Sequence, residues 1–162
     1  MPTFHLVERD SAWIEQAPVV VSNQVRVLAS AEQVFAELAK TGNWHSWCTG
    51  VTETEVVGPA TSGVGAQRKV KAGGVRFEER FVTWEDGVRV GFSGLTSSAP
   101  GLRSLAEDWS VRPDAADPSK SVLTQTMGAA LRGAFRPLAG IFRWYLQRAT
   151  RKGAEGMATH FA

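Results

Sequence analysis

The sequence has one cysteine, Cys48, which excludes an internal disulfide and any cysteine-based zinc cluster. Its three histidines, His5, His45 and His160, lack metal-ligand spacing, so no metal site is expected. No apolar run approaches the roughly 18 residues of a membrane span. The first ten residues include Glu8, Arg9 and Asp10 and lack the apolar stretch of a signal peptide, which points to the cytoplasm. Phosphate-loop spacing is also missing. Gly94 to Gly101 (GLTSSAPG) reads as a flexible loop that could act as a lid, and no cofactor is expected. Acidic residues are absent from Met127 to Ala154, while Arg132, Arg136, Arg143, Arg148, Arg151 and Lys152 all lie there. That excess allows peripheral contact with a membrane or an acidic partner. It does not call for a specific nucleic-acid site, because late positive charges also complement a helix dipole.

What remains is ordinary globular material: 162 residues, 43% hydrophobic and 21% charged, enough for one domain with one core. Met1 to Pro18 reads as an irregular arm ahead of a single domain spanning residues 19–162. Val19 to Val27 is β-branched and fits a first strand. Ser30 with Gln33 forms a capping box for a short helix over Ala31 to Ala39, with Val34, Phe35 and Leu38 as its apolar stripe. Trp44, His45 and Trp47 follow as an aromatic patch, with His45 either a loop residue or a gate. A strand is predicted near Val51 to Val57.

Gly73-Gly74 marks a two-residue hairpin turn. Counting outward pairs Ala72 with Val75, Val70 with Phe77, Arg68 with Glu79 and Ala66 with Phe81 on one face. Lys71, Lys69 and Gln67 pair with Arg76, Glu78 and Arg80 on the other. The apolar set must point inward. Asp86-Gly87, counted the same way, pairs Phe81 with Phe92 and Thr83 with Val90. It sets Trp84 against Arg89 on the outer face, close enough to stack. Both counts put Phe77, Phe81, Val90 and Phe92 on one face of an antiparallel meander. Leu105, Glu107, Trp109 and Val111 alternate on another strand, and Leu123 to Leu131 on a last one. Pro137 suits a first helical turn. Beyond it Leu138, Ile141, Phe142, Tyr145, Leu146 and Ala149 recur at helical spacing, running on to Met157. This long helix needs an apolar partner, and the inner sheet face is large enough.

The order of elements resembles the START-like, or Bet v 1-like, superfamily, and within it the bacterial polyketide cyclase/dehydrase and lipid-transport family. The resemblance rests on VRVLASAEQVFAELA (Val25 to Ala39), the Trp44 to Trp47 patch, and GVGAQRKVKAGGVRFEERFVTWEDGVRV (Gly63 to Val90), and covers roughly Val19 to Met157. It implies an α+β helix-grip fold. A curved antiparallel sheet of about seven strands would wrap a long C-terminal helix, with two short helices after the first strand. It also implies a hydrophobic cavity between sheet and helix. Members transport or sense lipids, cyclise aromatic polyketides, or are described as toxins.

The expected cavity lining is Trp47, Phe77, Phe81, Val90, Phe92, Trp109, Met127, Phe142 and Tyr145, with Arg68 and Glu79 as polar members. Aromatic and sulfur side chains suit a flat or irregular apolar ligand, although they also pack on one another. Arg68 and Glu79 make either a structural ion pair or an anchor for a carboxylate or phenolate. Glu107 joins them if its register holds, and Glu79, Glu107 and Tyr145 are the candidates for moving protons. Cys48 reads as a small apolar residue. Three functions fit. The first is a carrier or sensor of a hydrophobic or amphipathic molecule with an acidic or hydroxyl end. The second is a cyclase or dehydratase. The third is an interaction or toxin-like module working through the basic helix.

Overall fold

The computed structural model describes residues 2–162. Eight strands form one antiparallel sheet: β1 (Phe4–His5), β2 (Val19–Val27), β3 (Val51–Val57), β4 (Gln67–Ala72), β5 (Val75–Glu85), β6 (Arg89–Ser97), β7 (Leu102–Pro113) and β8 (Ser121–Leu131). The order is β2-β8-β7-β6-β5-β4-β3, with β1 beside β6. Helix α1 (Ala31–Ala39) and a 3-10 turn at Trp44–Ser46 follow β2. They stand where two short helices are expected. Another 3-10 segment, Gly133–Leu138, takes up Pro137 and leads into α2 (Ala139–His160). The curved sheet wraps α2, which lies mainly along β2.

The Gly73-Gly74 register is the one the sequence predicts, pair by pair. Both glycines sit at positive φ, as a two-residue turn on twisted strands requires. The second hairpin differs. Its loop holds three residues, Asp86 to Val88, so Glu85 pairs Arg89, Trp84 pairs Val90 and Thr83 pairs Gly91. A bulge at Val82 takes up the slip and restores Phe81 opposite Phe92. Trp84 therefore turns inward, edge-on to Phe81 and Phe35, and the expected outer stack with Arg89 is absent. Arg89 pairs with Asp108 instead.

Two further expectations are corrected. Gly94 to Ser97 belongs to β6, so the supposed lid shrinks to the turn Ser98–Gly101. The arm is not irregular. Met1 lies outside the described residues, but beyond Ser93↔Ala106 the strands β6 and β7 part, and the arm enters the gap. Phe4 and His5 pair with β6, Leu6 bonds to Leu95, and Val7 bonds to Arg103. The chain then crosses the outer face, where Ser11 bonds Thr83 at 2.7 Å and Ile14 is buried over Gly128.

The C-terminal half of α2 is held by the Trp47–Gly50 loop. A Cβ on Gly156 would fall well inside contact distance of the Trp47 carbonyl oxygen and 2.9 Å from the Thr49 nitrogen. Both obstacles are backbone and cannot swing aside. Gly156→Ala is therefore expected to cost about 2–3 kcal/mol. Gly153→Ala, which meets the Cys48 sulfur at 3.2 Å and the Thr49 carbonyl oxygen at an ordinary 3.6 Å, should cost much less. Urea denaturation of the two variants checks this, and equal losses would contradict the account.

Candidate functional site

The inner face has an aromatic end and an aliphatic end. At the aromatic end α1, the Trp44 turn and strands β5 to β7 converge. Trp44 lies tilted against Trp47, ring centres 4.9 Å apart, and both meet Trp109 edge-on at 5.4 Å. Phe92 joins through Trp44 and Phe81. Trp47, Phe81, Val90, Phe92 and Trp109 thus pack chiefly on one another. The Trp47 indole N–H is buried without an acceptor among the described residues.

Arg68 runs beneath these rings. Its guanidinium carbon lies 4.1 Å from the Trp44 ring centre, 4.7 Å from Phe92 and 5.1 Å from Phe81. Its Nε donates to Glu79 at 2.8 Å, and a terminal nitrogen donates to the Thr41 carbonyl. Arg68 is 2% exposed and Glu79 5%. Of the two readings the sequence allows, the geometry matches the structural ion pair, because the cation is already spent.

Glu107 shares the inner face but has no cation of its own. Trp109 Nε1 donates to its Oε1 at 2.7 Å, and Gln125 Nε2 donates to the same oxygen at 3.1 Å. The Oε2 atom takes no bond among the described residues, yet it is not one of the sealed polar atoms. With 9% of the residue exposed, Oε2 is the oxygen that meets open space. Burial, then the charge of Glu79, push the carboxyl from the ordinary 4.5 up to about 7, against the bonds from Gln125 and Trp109 and the charge of Arg68. From Gln125 a polar chain runs to the helix. Asn23 Nδ2 donates to Gln125 Oε1 at 3.0 Å and to Thr150 Oγ1 at 2.8 Å, and Gln147 donates to Asn23 at 2.6 Å. Sequence reasoning passes over Asn23, Gln147 and Thr150. The available signal is the placing of Asn23 and Gln125 at inward positions of otherwise apolar strands.

The aliphatic end lies past Glu107. Val21, Leu105 and Met127 are buried, while Phe77, Phe142 and Leu146 are half-buried against them. Here Phe142 and Leu146 of α2 pack on the cluster yet stay half-buried, so the helix covers this end of the sheet less completely than the other. Tyr145 stands 49% exposed beside them, and its hydroxyl reaches the Gly73 turn. His45 faces away. Thr54 gives its hydroxyl proton to the Gly42 carbonyl, so His45 Nδ1–H donates to Thr54 at 2.6 Å. Cys48 is buried, and burial pushes its thiol up, which suits packing and not nucleophilic chemistry. Of the six basic residues, Arg132 is committed to the Leu102 and His5 carbonyls and Arg143 to Val20. The patch is correspondingly smaller than expected. A groove of about 560 Å³, walled by Glu53, Lys69, Lys71, Arg76 and Glu78, runs on the opposite side of the sheet, with Glu53 paired to Arg76.

The family model described as polyketide cyclase / dehydrase and lipid transport matches residues 18–162. The chain belongs to this family. Its functional class is the binding of a hydrophobic small molecule. The matched region leaves the arm outside. An uncharacterised protein of Mycobacterium tuberculosis and one of Mycobacterium bovis are each 33% identical over 142 residues, covering 87% of this chain and 83% of theirs. Among solved structures, a hypothetical protein of Helicobacter pylori superposes with a TM-score of 0.77 at 14% identity, covering 100% of this chain and 99% of that one. An aromatase/cyclase from Streptomyces sp. R1128 gives 0.68 at 16% identity, covering 87% and 92%. A START superfamily protein from Mycobacterium smegmatis gives 0.62 at 15%, covering 85% and 97%. These likenesses establish the START-like fold.

The Glu107 carboxyl gives a pH test. The unfolded chain loses this proton near pH 4.5 and the folded chain near 7, so between those values the folded state binds more protons. Stability therefore falls as pH rises through that window, by on the order of 3 kcal/mol for this group. Glu107→Gln keeps an acceptor for Trp109 and Gln125 and has nothing to ionise. Its stability relative to the parent should climb from pH 4.5 to 7 and level off above. Urea titrations at stepped pH measure that difference, and a flat one would show an ordinary carboxylate.

Proposed function

We propose that the chain carries or senses an amphipathic molecule of lipid or aromatic-polyketide type. Its apolar body would lie among Phe77, Leu105, Met127, Phe142 and Leu146, with Tyr145 at the entrance. Its polar end would meet Glu107. The observation that carries this reading is Glu107 Oε2, a carboxyl oxygen on the inner face beside the aliphatic cluster, with no protein partner among the described residues. Trp47, Phe81, Val90, Phe92 and Trp109 then serve as the wall behind the site.

This geometry narrows the ligand. An acidic group there would face Glu107 and Glu79, while the nearby cation, Arg68, is bonded to Glu79 and roofed by rings. Like charges in a poorly solvated site repel strongly. A neutral hydroxyl or carbonyl instead exchanges a hydrogen bond with a carboxyl of pKa about 7. Of the two ligand ends the sequence suggests, the hydroxyl fits and the acid does not.

The matched probes 2-naphthol and 2-naphthoate test this by calorimetric titration at neutral pH. Naphthol should bind at least about tenfold more tightly, a difference near 1.4 kcal/mol. Met127→Trp, which fills the proposed site, should abolish binding while the variant still melts cooperatively. Equal affinity for both probes, or undiminished binding by the filled variant, would overturn the proposal.

A second reading, proton transfer by a cyclase- or dehydratase-type enzyme, draws on the same Glu107, because a group that titrates near neutrality can both take and return a proton. Its signature is exchange of the benzylic C1 hydrogens of 2-tetralone for deuterium in heavy water, followed by NMR. The C–H proton passes to the carboxylate, and a deuteron returns to carbon. Exchange that is faster with the parent than with Glu107→Gln would favour the enzyme. Exchange no faster than in buffer would leave the carrier reading alone.

A further inference from the structure

The N-terminal half of α2 buries little of itself. Its inward stripe, Phe142 and Leu146, is half-buried over the aliphatic cluster, and Arg143 and Gln147 bond the β2 edge through the Val20 and Ser22 carbonyls. The remaining arc faces solvent. At 100° per residue, Ile141, Trp144, Arg148, Arg151 and Lys152 fall on one side of the helix. Ile141 is 71% exposed and Trp144 64%. Arg148 stacks loosely on the Trp144 ring at 5.9 Å. Among the described residues, no carboxylate pairs with Arg148, Arg151 or Lys152.

Large apolar side chains left in water beside unpaired cations ask for a surface that is greasy and negative at once. A phosphate backbone would take the arginines and gain nothing from Ile141. A second copy of this chain would bring the same cations to the same face and be repelled. An anionic bilayer meets both halves of the requirement, because acyl chains accept Ile141 and Trp144 while headgroups accept the guanidinium groups.

We propose that this arc of α2 docks the protein on an anionic lipid bilayer. The helix would lie in the membrane surface and not cross it, since among the described residues no helix is long and apolar enough to span a bilayer. Tyr145, at the proposed ligand entrance, belongs to the same half of the same helix, so docking would bring that entrance close to the lipid. The proposal stands apart from the ligand reading, because bilayer binding is measured with no ligand added.

Co-sedimentation with large unilamellar vesicles tests it, using phosphatidylcholine alone against an equal mixture with phosphatidylglycerol at low salt. The parent should pellet with the anionic vesicles and hardly with the neutral ones. Arg148→Glu/Arg151→Glu should weaken the partition by about tenfold or more, since each basic residue near such a surface contributes about 1 kcal/mol. Ile141→Ser/Trp144→Ser should weaken it also. Arg103→Glu/Arg112→Glu, the same charge change on exposed residues of β7, should retain binding. Circular dichroism would check that each variant is folded. Equal pelleting by the helix and β7 variants, or no pelleting of the parent, would overturn the proposal. So would self-association in sedimentation velocity that Trp144→Ser removes.

Discussion

The Arg68 guanidinium lies among three aromatic rings, with Glu79 as its counter-charge and the Thr41 carbonyl taking another N–H. An ion pair drawn out of water loses several kcal/mol of hydration per ion, and removing one partner strands the other. A guanidinium is the cation best suited to that position, because it is flat, weakly hydrated and able to bond in its plane while rings cover its faces. The rest of the inner face follows from this arrangement. Trp44, Phe81 and Phe92 must stay against the cation, so that end of the sheet is packed solid. Glu107, buried beside Glu79, retains its proton to about pH 7, chiefly through burial and then through the Glu79 charge. At the aliphatic end Phe77, Phe142 and Leu146 are only half-buried.

Helix α2 reflects the same division. Its C-terminal half carries Gly153, Ala154, Gly156 and Met157 inward, small residues and one flexible one, which let the Trp47–Gly50 loop close on the helix. Its N-terminal half carries Phe142 and Leu146, half-buried against the aliphatic cluster, and the exposed Tyr145. The Asn23–Gln125–Thr150 chain marks the boundary. Buried amides there have few other partners, so the chain fixes where the closer contact ends. One side of the helix half over the aliphatic cluster is left in water, carrying Ile141, Trp144 and unpaired arginines.

Most of the architecture was legible because period-2 alternation and turn chemistry are local. The Gly73-Gly74 hairpin sets Arg68 opposite Glu79 by local turn chemistry alone, since two glycines leave little choice of turn. Asp86-Gly87 was less decisive. The same dipeptide opens two- and three-residue loops, and the added Val88 moved Trp84 to the other face. The Phe81–Phe92 pair was still counted correctly, because the Val82 bulge undoes the slip. The arm was not readable, since Phe4 to Val7 form a strand only where β6 and β7 have parted, and that parting is tertiary. Whether the inward aromatics enclose a ligand or one another was likewise unreadable. It depends on how closely α2 approaches, which Gly156 permits at its C-terminal end.

The remaining choice between carrier and catalyst turns on what stands opposite Glu107. Reversible proton transfer at carbon needs one carboxyl. A dehydration also needs a second group to protonate the departing oxygen, within reach of the same ligand. The expected partner, Tyr145, is poorly placed for that, because it is half in water with its hydroxyl at the Gly73 turn. Glu79 is bound to Arg68, and Cys48 holds its proton too firmly. The buried Trp47 N–H donates without titrating and can only position or stabilise an oxygen. One proton-exchanging group beside an apolar cluster would suit recognition of a neutral oxygen, as proposed. A catalytic role would have to draw its second proton carrier from the ligand itself or from water entering past Tyr145.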